Sequence, residues 1–372
     1  MLTVLNIVGT RPEAIKMAPV IGEFARYPEQ VRSVICSTGQ HREMLADIFK
    51  LFNIHPEIEL DLMQPDQSLS GLTARLFDAL DPVIDRCRPD WVLAQGDTTT
   101  VLVASLAAFY HRVRFGHVEA GLRTGDLAHP FPEELNRCVA DKAAELLFAP
   151  TARSRQSLLA EGYPEQKIIV TGNTVIDALR QVAEMPYDWS AGPLRSLPAD
   201  GRLVLITAHR RESFGGPFRE LCGAIRDLSE RFAADGVEFV YPVHLNPNVR
   251  RPVGEILSGL ANVTLLEPLD YLSLVQLMKR SALILTDSGG IQEEAPAFGV
   301  PTLVMRETSE RPEGIEAGIT RLVGTDRDRI TREAETLLRD SAAHDAMARC
   351  ANPYGDGKAS GRIAAALLER AG

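Results

Sequence analysis

Within nineteen residues, the stretch GHVEAGLRTGDLAHPFPEE (116–134) holds three glutamates, an aspartate, two histidines and an arginine. Two carboxylates such as Glu119 and Glu133 could serve as acid and base at one reacting atom. The competing reading is capping. Glu133 and Glu134 follow Pro132 at a helix start, where acidic side chains suit the dipole, and Glu133 can pair with Arg137 at i,i+4. Glu119 is harder to explain as structure, because a carboxylate between an apolar strand and the polar GLR needs a partner or a purpose. Asp97 in AQGDTTT (94–100) ends another apolar run, either as a helix N-cap or as a catalytic carboxylate.

A second set of residues suits an anion. DSGGIQEE (287–294) puts Ser288, Gly289 and Gly290 at a helix start, where backbone N–H groups can approach a phosphate. Asp287 or Ser288 as N-cap is the plainer reading, and Glu294 could accept from sugar hydroxyls. Arg11 and Lys16 in GTRPEAIKMAP (9–19) stand near the start of another helix. A cation there opposes the dipole unless an anion joins it. The run His209–Arg210–Arg211 in TAHRRESFGGP (207–217), at a strand end with glycines behind it, suits a polyanion, and a solvated Arg211–Glu212 pair is the plainer alternative. Arg311 before Pro312 repeats the Arg11–Pro12 arrangement, and His244 in YPVHLNP (241–247) ends a further strand.

These residues share one placement. Short, nearly all-apolar runs such as LTVLNIVG, DWVLAQGD, VRFGHVEA, RLVLITAH, VEFVYPVH and ALILTDS alternate with helical periodicity throughout. That pattern predicts buried parallel strands in βαβ units, whose ligands bind beyond the carboxyl ends of the strands. MPYDWSAGPLRSLPADG (185–201), rich in Pro, Gly and Ser, is expected to link an N-terminal half, 1–184, to a C-terminal half, 202–356. GKASGRIAAALLER reads as a terminal helix.

At 372 residues the chain is long enough for two cores. Its net charge of −10 argues against a broad nucleic-acid surface, so any anionic ligand needs a local basic site. No apolar run approaches the roughly 18 residues of a membrane span. The start, MLTVLNIVG, reads as a first strand rather than a signal peptide. Five scattered cysteines without metal-ligand spacing fit reduced thiols in a cytoplasmic protein.

The blocks GTRPEAIKMAP, TGQHREML, GDTTT, GHVEAGLRTGD, PFPEELNR, HRRESFG, YPVHLNP, DSGGIQEEAPAFGVP and RETSERPEG together resemble the bacterial non-hydrolysing UDP-N-acetylglucosamine 2-epimerases, in order and over nearly the whole chain. The resemblance implies an α/β fold of two Rossmann-like domains facing a cleft, the glycosyltransferase-B type, with the C-terminal helix, 357–372, joining the first domain. It implies interconversion of UDP-N-acetylglucosamine and UDP-N-acetylmannosamine through 2-acetamidoglucal, supplying N-acetylmannosamine units for surface polysaccharide. No NAD or metal is implied, and a homodimer is. Asp97, Glu119 and Glu133 then match the catalytic carboxylates and His209 the active-site histidine, while Glu134 stays a cap. Arg11, Lys16, Ser288, Gly289, Gly290, Glu294 and Arg311 match nucleotide-binding positions, with Arg210 beside them. Gln40, His41, Arg42 and Gln67 match an allosteric site for a second UDP-N-acetylglucosamine, although Asp66 stands where many relatives carry a basic residue. A glycosyltransferase or hydrolysing epimerase on the same fold, or a non-catalytic sensor, are the alternatives.

Overall fold

A computed structural model describes residues 1–39, 42–64, 67–198 and 200–370, with only the backbone for 42–44. The chain forms two compact units, Met1–Ala178 with Tyr354–Gly372, and Leu179–Pro353.

The first unit is built on a seven-stranded parallel sheet ordered β3-β2-β1-β4-β5-β6-β7. Its strands are β1 (Leu2–Val8), β2 (Val31–Ser37), β3 (Ile58–Glu59), β4 (Trp91–Gln95), β5 (Arg114–Val118), β6 (Leu146–Ala149) and β7 (Ile168–Val170). Both faces are covered by helices, which is why β4 and β6 are buried at every position. The helix Thr99–Tyr110 is apolar nearly all round, and its alanines Ala104, Ala107 and Ala108 are fully buried. The chain winds from β1 out to β3, then crosses back to lay β4 beside β1. The sheet's switch point therefore lies between β1 and β4, where Gly9–Arg11 and Gly96–Asp97 leave the sheet.

The second unit repeats the plan with six parallel strands ordered β10-β9-β8-β11-β12-β13. They are β8 (Arg202–Thr207), β9 (Val237–Pro242), β10 (Val263–Leu266), β11 (Ser281–Thr286), β12 (Thr302–Val304) and β13 (Thr320–Leu322). Its switch point lies between β8 and β11, followed respectively by His209–Arg210 and Asp287–Gly290.

The terminal helix, Ala359–Leu368, belongs to the first unit. Asp177 anchors its start, accepting from the backbone N–H of Ala359 at 3.1 Å and of Ser360 at 2.8 Å. Tyr187 and Trp189, within the 185–201 segment, are held by the second unit. The Tyr187 hydroxyl bonds Ser273 Oγ at 3.1 Å, and the Arg280 guanidinium sits 4.7 Å from the Trp189 ring centroid. None of the helices in the described residues is long and apolar enough to cross a membrane.

Candidate functional site

Glu119 follows β5 directly, with a left-handed φ of +71°. A non-glycine residue held there costs local energy and persists only when its surroundings over-determine it. Here they do. The carboxylate is 9% exposed, and Lys16 Nζ lies 2.5 Å from its Oε1. Asn173 Nδ2 donates to the same oxygen at 3.3 Å, and Gln95 Nε2 donates to Oε2. The donors come from the helix after β1, the end of β4 and the turn after β7. Lys16, expected at a bound anion, thus meets the carboxylate of Glu119.

Asp97 does not cap the helix that follows it. Thr98 occupies the N-cap position, and Asp97 Oδ2 instead accepts from Arg137 Nη2 at 2.5 Å. Asn136 Nδ2 holds the Asp97 carbonyl at 2.9 Å. Arg137 and Asn136 belong to the helix Glu133–Ala143, which Glu133 opens. The expected Glu133–Arg137 pair does not form. Arg137 turns to Asp97 and to Glu134, whose Oε2 is 3.3 Å from its Nη1. Glu134 is 1% exposed, and its Oε1 accepts from the backbone N–H of Thr124 at 2.9 Å and of Gly125 at 3.0 Å. It fastens the 119–132 loop rather than capping its own helix, so that expectation is corrected as well.

The helix after β1, Arg11–Phe24, starts with Arg11, Pro12 and Glu13 behind the N-cap Thr10. Glu13 is 2% exposed and accepts through Oε2 from the backbone N–H of Gly9 at 2.6 Å and of Thr10 at 3.2 Å. Burial pushes its pKa up to about 7, against the lowering effect of the Thr98 side chain and of the backbone donors. The acceptor that satisfies this helix start is therefore a side chain of the protein itself, charged or neutral.

In the second unit, Asp287 is fully buried. Its Oδ2 accepts from the backbone N–H of both His209 and Arg210, each at 2.7 Å, and its Oδ1 lies 3.7 Å from His209 Nδ1. Ser288, not Asp287, is the N-cap of the helix Gly289–Glu294. Burial lifts Asp287 above the usual carboxylate range, against the lowering effect of those donors and charges. His209 stacks on His244, with centroids 5.1 Å apart and planes 10° from parallel. Burial first, then His244 and Arg210, hold the His209 ring below its ordinary pKa despite Asp287. The ring is therefore neutral near pH 7.

A Cβ added at Gly289 would come within 3.4 Å of Arg210 Nη2, so this guanidinium lies over the start of the Gly-rich helix. Glu294, at its end, is 8% exposed. Arg311 donates through Nε to Glu293 of the same helix. Glu212 pairs with Arg306, at 2.6 Å, and not with Arg211. Of the expected allosteric residues, Gln40 and His41 lie outside the described residues, as does Asp66, and Arg42 is described only by its backbone. Gln67 Oε1 accepts from the backbone N–H of Gln64 at 3.3 Å and from Arg75 Nη2.

Several residues at these centres were not singled out from sequence: Gln95, Asn136, Asn173 and Glu13, along with the buried group His117, Asp141 and Arg123. Inspecting every polar residue within three positions of a strand's end would have found Gln95 and Asn173. Nothing local signals Asp141, inside a helix.

Two parallel α/β units, each with its polar groups at the switch point of its sheet, define the glycosyltransferase-B-type class of fold. Within that class, the chain belongs to the UDP-N-acetylglucosamine 2-epimerase family, whose profile matches residues 25–368. It is 51% identical to the UDP-N-acetylglucosamine 2-epimerase of Escherichia coli strain K12, over 98% of each chain. The crystal structure of the Neisseria meningitidis UDP-N-acetylglucosamine 2-epimerase bound to UDP-N-acetylglucosamine is 44% identical. It superposes with a TM-score of 0.88, covering 99% of this chain and 100% of that one. The Methanocaldococcus jannaschii enzyme, solved with UDP-N-acetylglucosamine and UDP, is 31% identical with a TM-score of 0.81, covering 99% and 100%.

Proposed function

We propose that this protein interconverts UDP-N-acetylglucosamine and UDP-N-acetylmannosamine without hydrolysis, by anti-elimination of UDP and its re-addition. A carboxylate of the first unit removes the C2 proton. The C–H electron pair becomes the C1–C2 double bond of 2-acetamidoglucal, and the C1–O pair leaves with UDP. In the return step a UDP oxygen adds to C1, and a proton reaches C2 from the opposite face. Asp97, Glu119 and Glu133 are the carboxylates assigned to this work.

The observation that carries the reading is the setting of Glu119: a buried carboxylate in a left-handed backbone, with its two oxygens held by Lys16, Gln95 and Asn173. Such a setting suits a group whose position is set for chemistry, where a misplacement of about 1 Å can cost about 100-fold in rate, more than it suits a fold. Arg11, Arg210 and Arg311 supply cationic donors for the diphosphate. Ser288, Gly289 and Gly290 supply a hydroxyl and backbone N–H groups, and Glu294 accepts from the ribose. Charge on the departing UDP raises the proton affinity of His209, which then donates to it. We further assign a homodimer, a cytoplasmic setting, an N-acetylmannosamine supply for surface polysaccharide, and a second UDP-N-acetylglucosamine at Gln40, His41, Arg42 and Gln67.

Incubation with UDP-N-acetylglucosamine in D₂O, followed by NMR, tests the reaction. The expected products are UDP-N-acetylmannosamine and deuterium at C2 of both epimers. Free N-acetylmannosamine with UDP would indicate a hydrolase instead, and neither product would refute both.

A further inference from the structure

His117, in β5, is fully buried and has both ring nitrogens engaged. Nδ1 lies 2.6 Å from Asp141 Oδ1, and Nε2 lies 2.7 Å from the Gly96 carbonyl oxygen. A neutral imidazole offers one donor and one acceptor. A carbonyl oxygen can only accept. Asp141 is an acceptor too, since its Oδ2 takes the Gly121 N–H at 3.2 Å and lies 2.7 Å from Arg123 Nη1. Both contacts of the ring therefore call for N–H, which only the imidazolium has.

The surrounding charges balance. His117 and Arg123 supply two positive charges. Asp141 and Glu161 supply two negative ones, with Glu161 Oε1 2.6 Å from Arg123 Nε. Just beyond β4, Asp97 is the other carboxylate whose charge the ring feels, and from β5 the Phe115 ring stacks on it with centroids 6.0 Å apart. Burial by itself would lower the ring's pKa, but the charge and hydrogen bond of Asp141, with the Gly96 carbonyl, hold it above the ordinary histidine value.

Gly96 is the residue between β4 and Asp97, in a left-handed conformation at φ +86°. Its N–H donates to the Val118 carbonyl at 3.0 Å, and a Cβ there would lie 3.8 Å from Glu119 Oε2. We propose that His117 is a permanent imidazolium and a positioning residue. It clamps the Gly96 carbonyl to β5 and so fixes Asp97 relative to Glu119. Beside the ionised Asp141, a neutral ring would set a lone pair against either the carbonyl or the carboxylate, and where it faced the carbonyl the Gly96 turn would lose its clamp. The catalytic consequence rests on the reading of Asp97 and Glu119 as reacting groups.

The protonation state is tested by NMR on the full-length protein labelled with ¹⁵N-histidine, with the His117 signals assigned by their loss in His117→Gln. Both ring nitrogens are expected to carry protons, unchanged from about pH 6 to about pH 9, where an ordinary histidine has lost one. A single protonated nitrogen at neutral pH overturns the proposal. Asp141→Asn keeps the shape but removes the counter-charge. In that variant the amide oxygen takes the Gly121 and Arg123 donors and its NH₂ faces Nδ1, so His117 is expected to hold a single proton, on Nε2, and to keep its bond to Gly96. His117→Phe removes the clamp itself, and kcat is expected to fall at least about tenfold at every pH with KM little changed. Wild-type kcat in a folded His117→Phe would also overturn the proposal, as would an imidazolium that persists in Asp141→Asn. If the wild-type protein did not turn over UDP-N-acetylglucosamine, the epimerase reading would fall, while the NMR result would still decide the state of the ring.

Discussion

The Lys16 ammonium lies 2.5 Å from Glu119 Oε1, bridging the first helix of the chain and the end of β5. Lys16 side-chain atoms are 13% exposed and those of Glu119 7%, so the pair is little screened by solvent. Lys16→Met leaves the carboxylate, among the described residues, with the neutral donors Gln95 and Asn173, which allow its side chain to shift. The expected result is a kcat lower by about 10² or more, with UDP affinity within a few-fold of wild type by calorimetry. The opposite split, weakened UDP binding with kcat retained, would return Lys16 to the nucleotide.

Glu133 and Glu134 are adjacent but separable. Glu134→Gln places an amide nitrogen or a weaker acceptor against the Thr124 and Gly125 N–H groups. This should cost about 1–3 kcal/mol, seen as a lowered Tm, with activity falling as the loop loosens. Glu133, half-buried at the helix start, holds no such backbone groups among the described residues. Glu133→Gln is expected to keep its Tm within a degree or two and lose turnover by about 10² or more. A stability loss with full activity would mean that Glu133 is only a helix-start acid.

The difference between these neighbours marks where sequence reading stops. Buried parallel strands write themselves as apolar runs, so the strands that carry Glu119, Asp97 and His209 were legible. β3 was not, because two residues at a sheet edge make no run. Strand-end placement pointed to Glu119, but its partners Lys16, Asn173 and Gln95 lie 103, 54 and 24 residues away in the chain. Lys16 and Gln95 meet it because the strand order sets β1, β4 and β5 side by side, and Asn173 reaches it from the turn after β7, beyond β6. Helix spacing proposed Arg137 for Glu133, and tertiary packing gave Arg137 closer carboxylates in Asp97 and Glu134. Local periodicity names candidates, and the competition between them is settled by contacts that no short window contains.

Asp287 holds the backbone of His209 and Arg210 and places a carboxylate oxygen 3.7 Å from His209 Nδ1. With His209 held neutral before binding, a diphosphate that requires the imidazolium must bring a proton with it. UDP affinity is therefore expected to weaken as pH rises above neutrality, by up to about tenfold per unit, with proton uptake visible by calorimetry in buffers of different ionisation enthalpy. In Asp287→Asn the amide offers Nδ1 a donor instead. The neutral ring then presents Nε2–H, and both the pH dependence and the proton uptake should shrink. Proton uptake unchanged in this variant would show that another group takes the proton.

Glu13 makes a prediction about stability alone. Its folded-state pKa is about 7, against an ordinary 4.5. The folded protein therefore binds this proton more tightly than the unfolded chain. Stability from Glu13 is fully present below the ordinary value and is lost as pH rises through about 7. Its Oε1 and the Thr98 hydroxyl are both buried without a hydrogen bond of ordinary geometry among the described residues. In Glu13→Gln, the amide oxygen can still accept from Gly9 and Thr10, while the NH₂ faces Thr98 as a neutral donor. Wild type and variant should thus unfold alike near pH 5 by thermal or urea denaturation. Near pH 8.5 the variant should be the more stable, by about 1–3 kcal/mol, since it no longer carries a buried charge. A stability difference that stays constant across that range would mean that Glu13 is ionised in the folded protein throughout, with its carboxylate fully compensated by the two backbone donors.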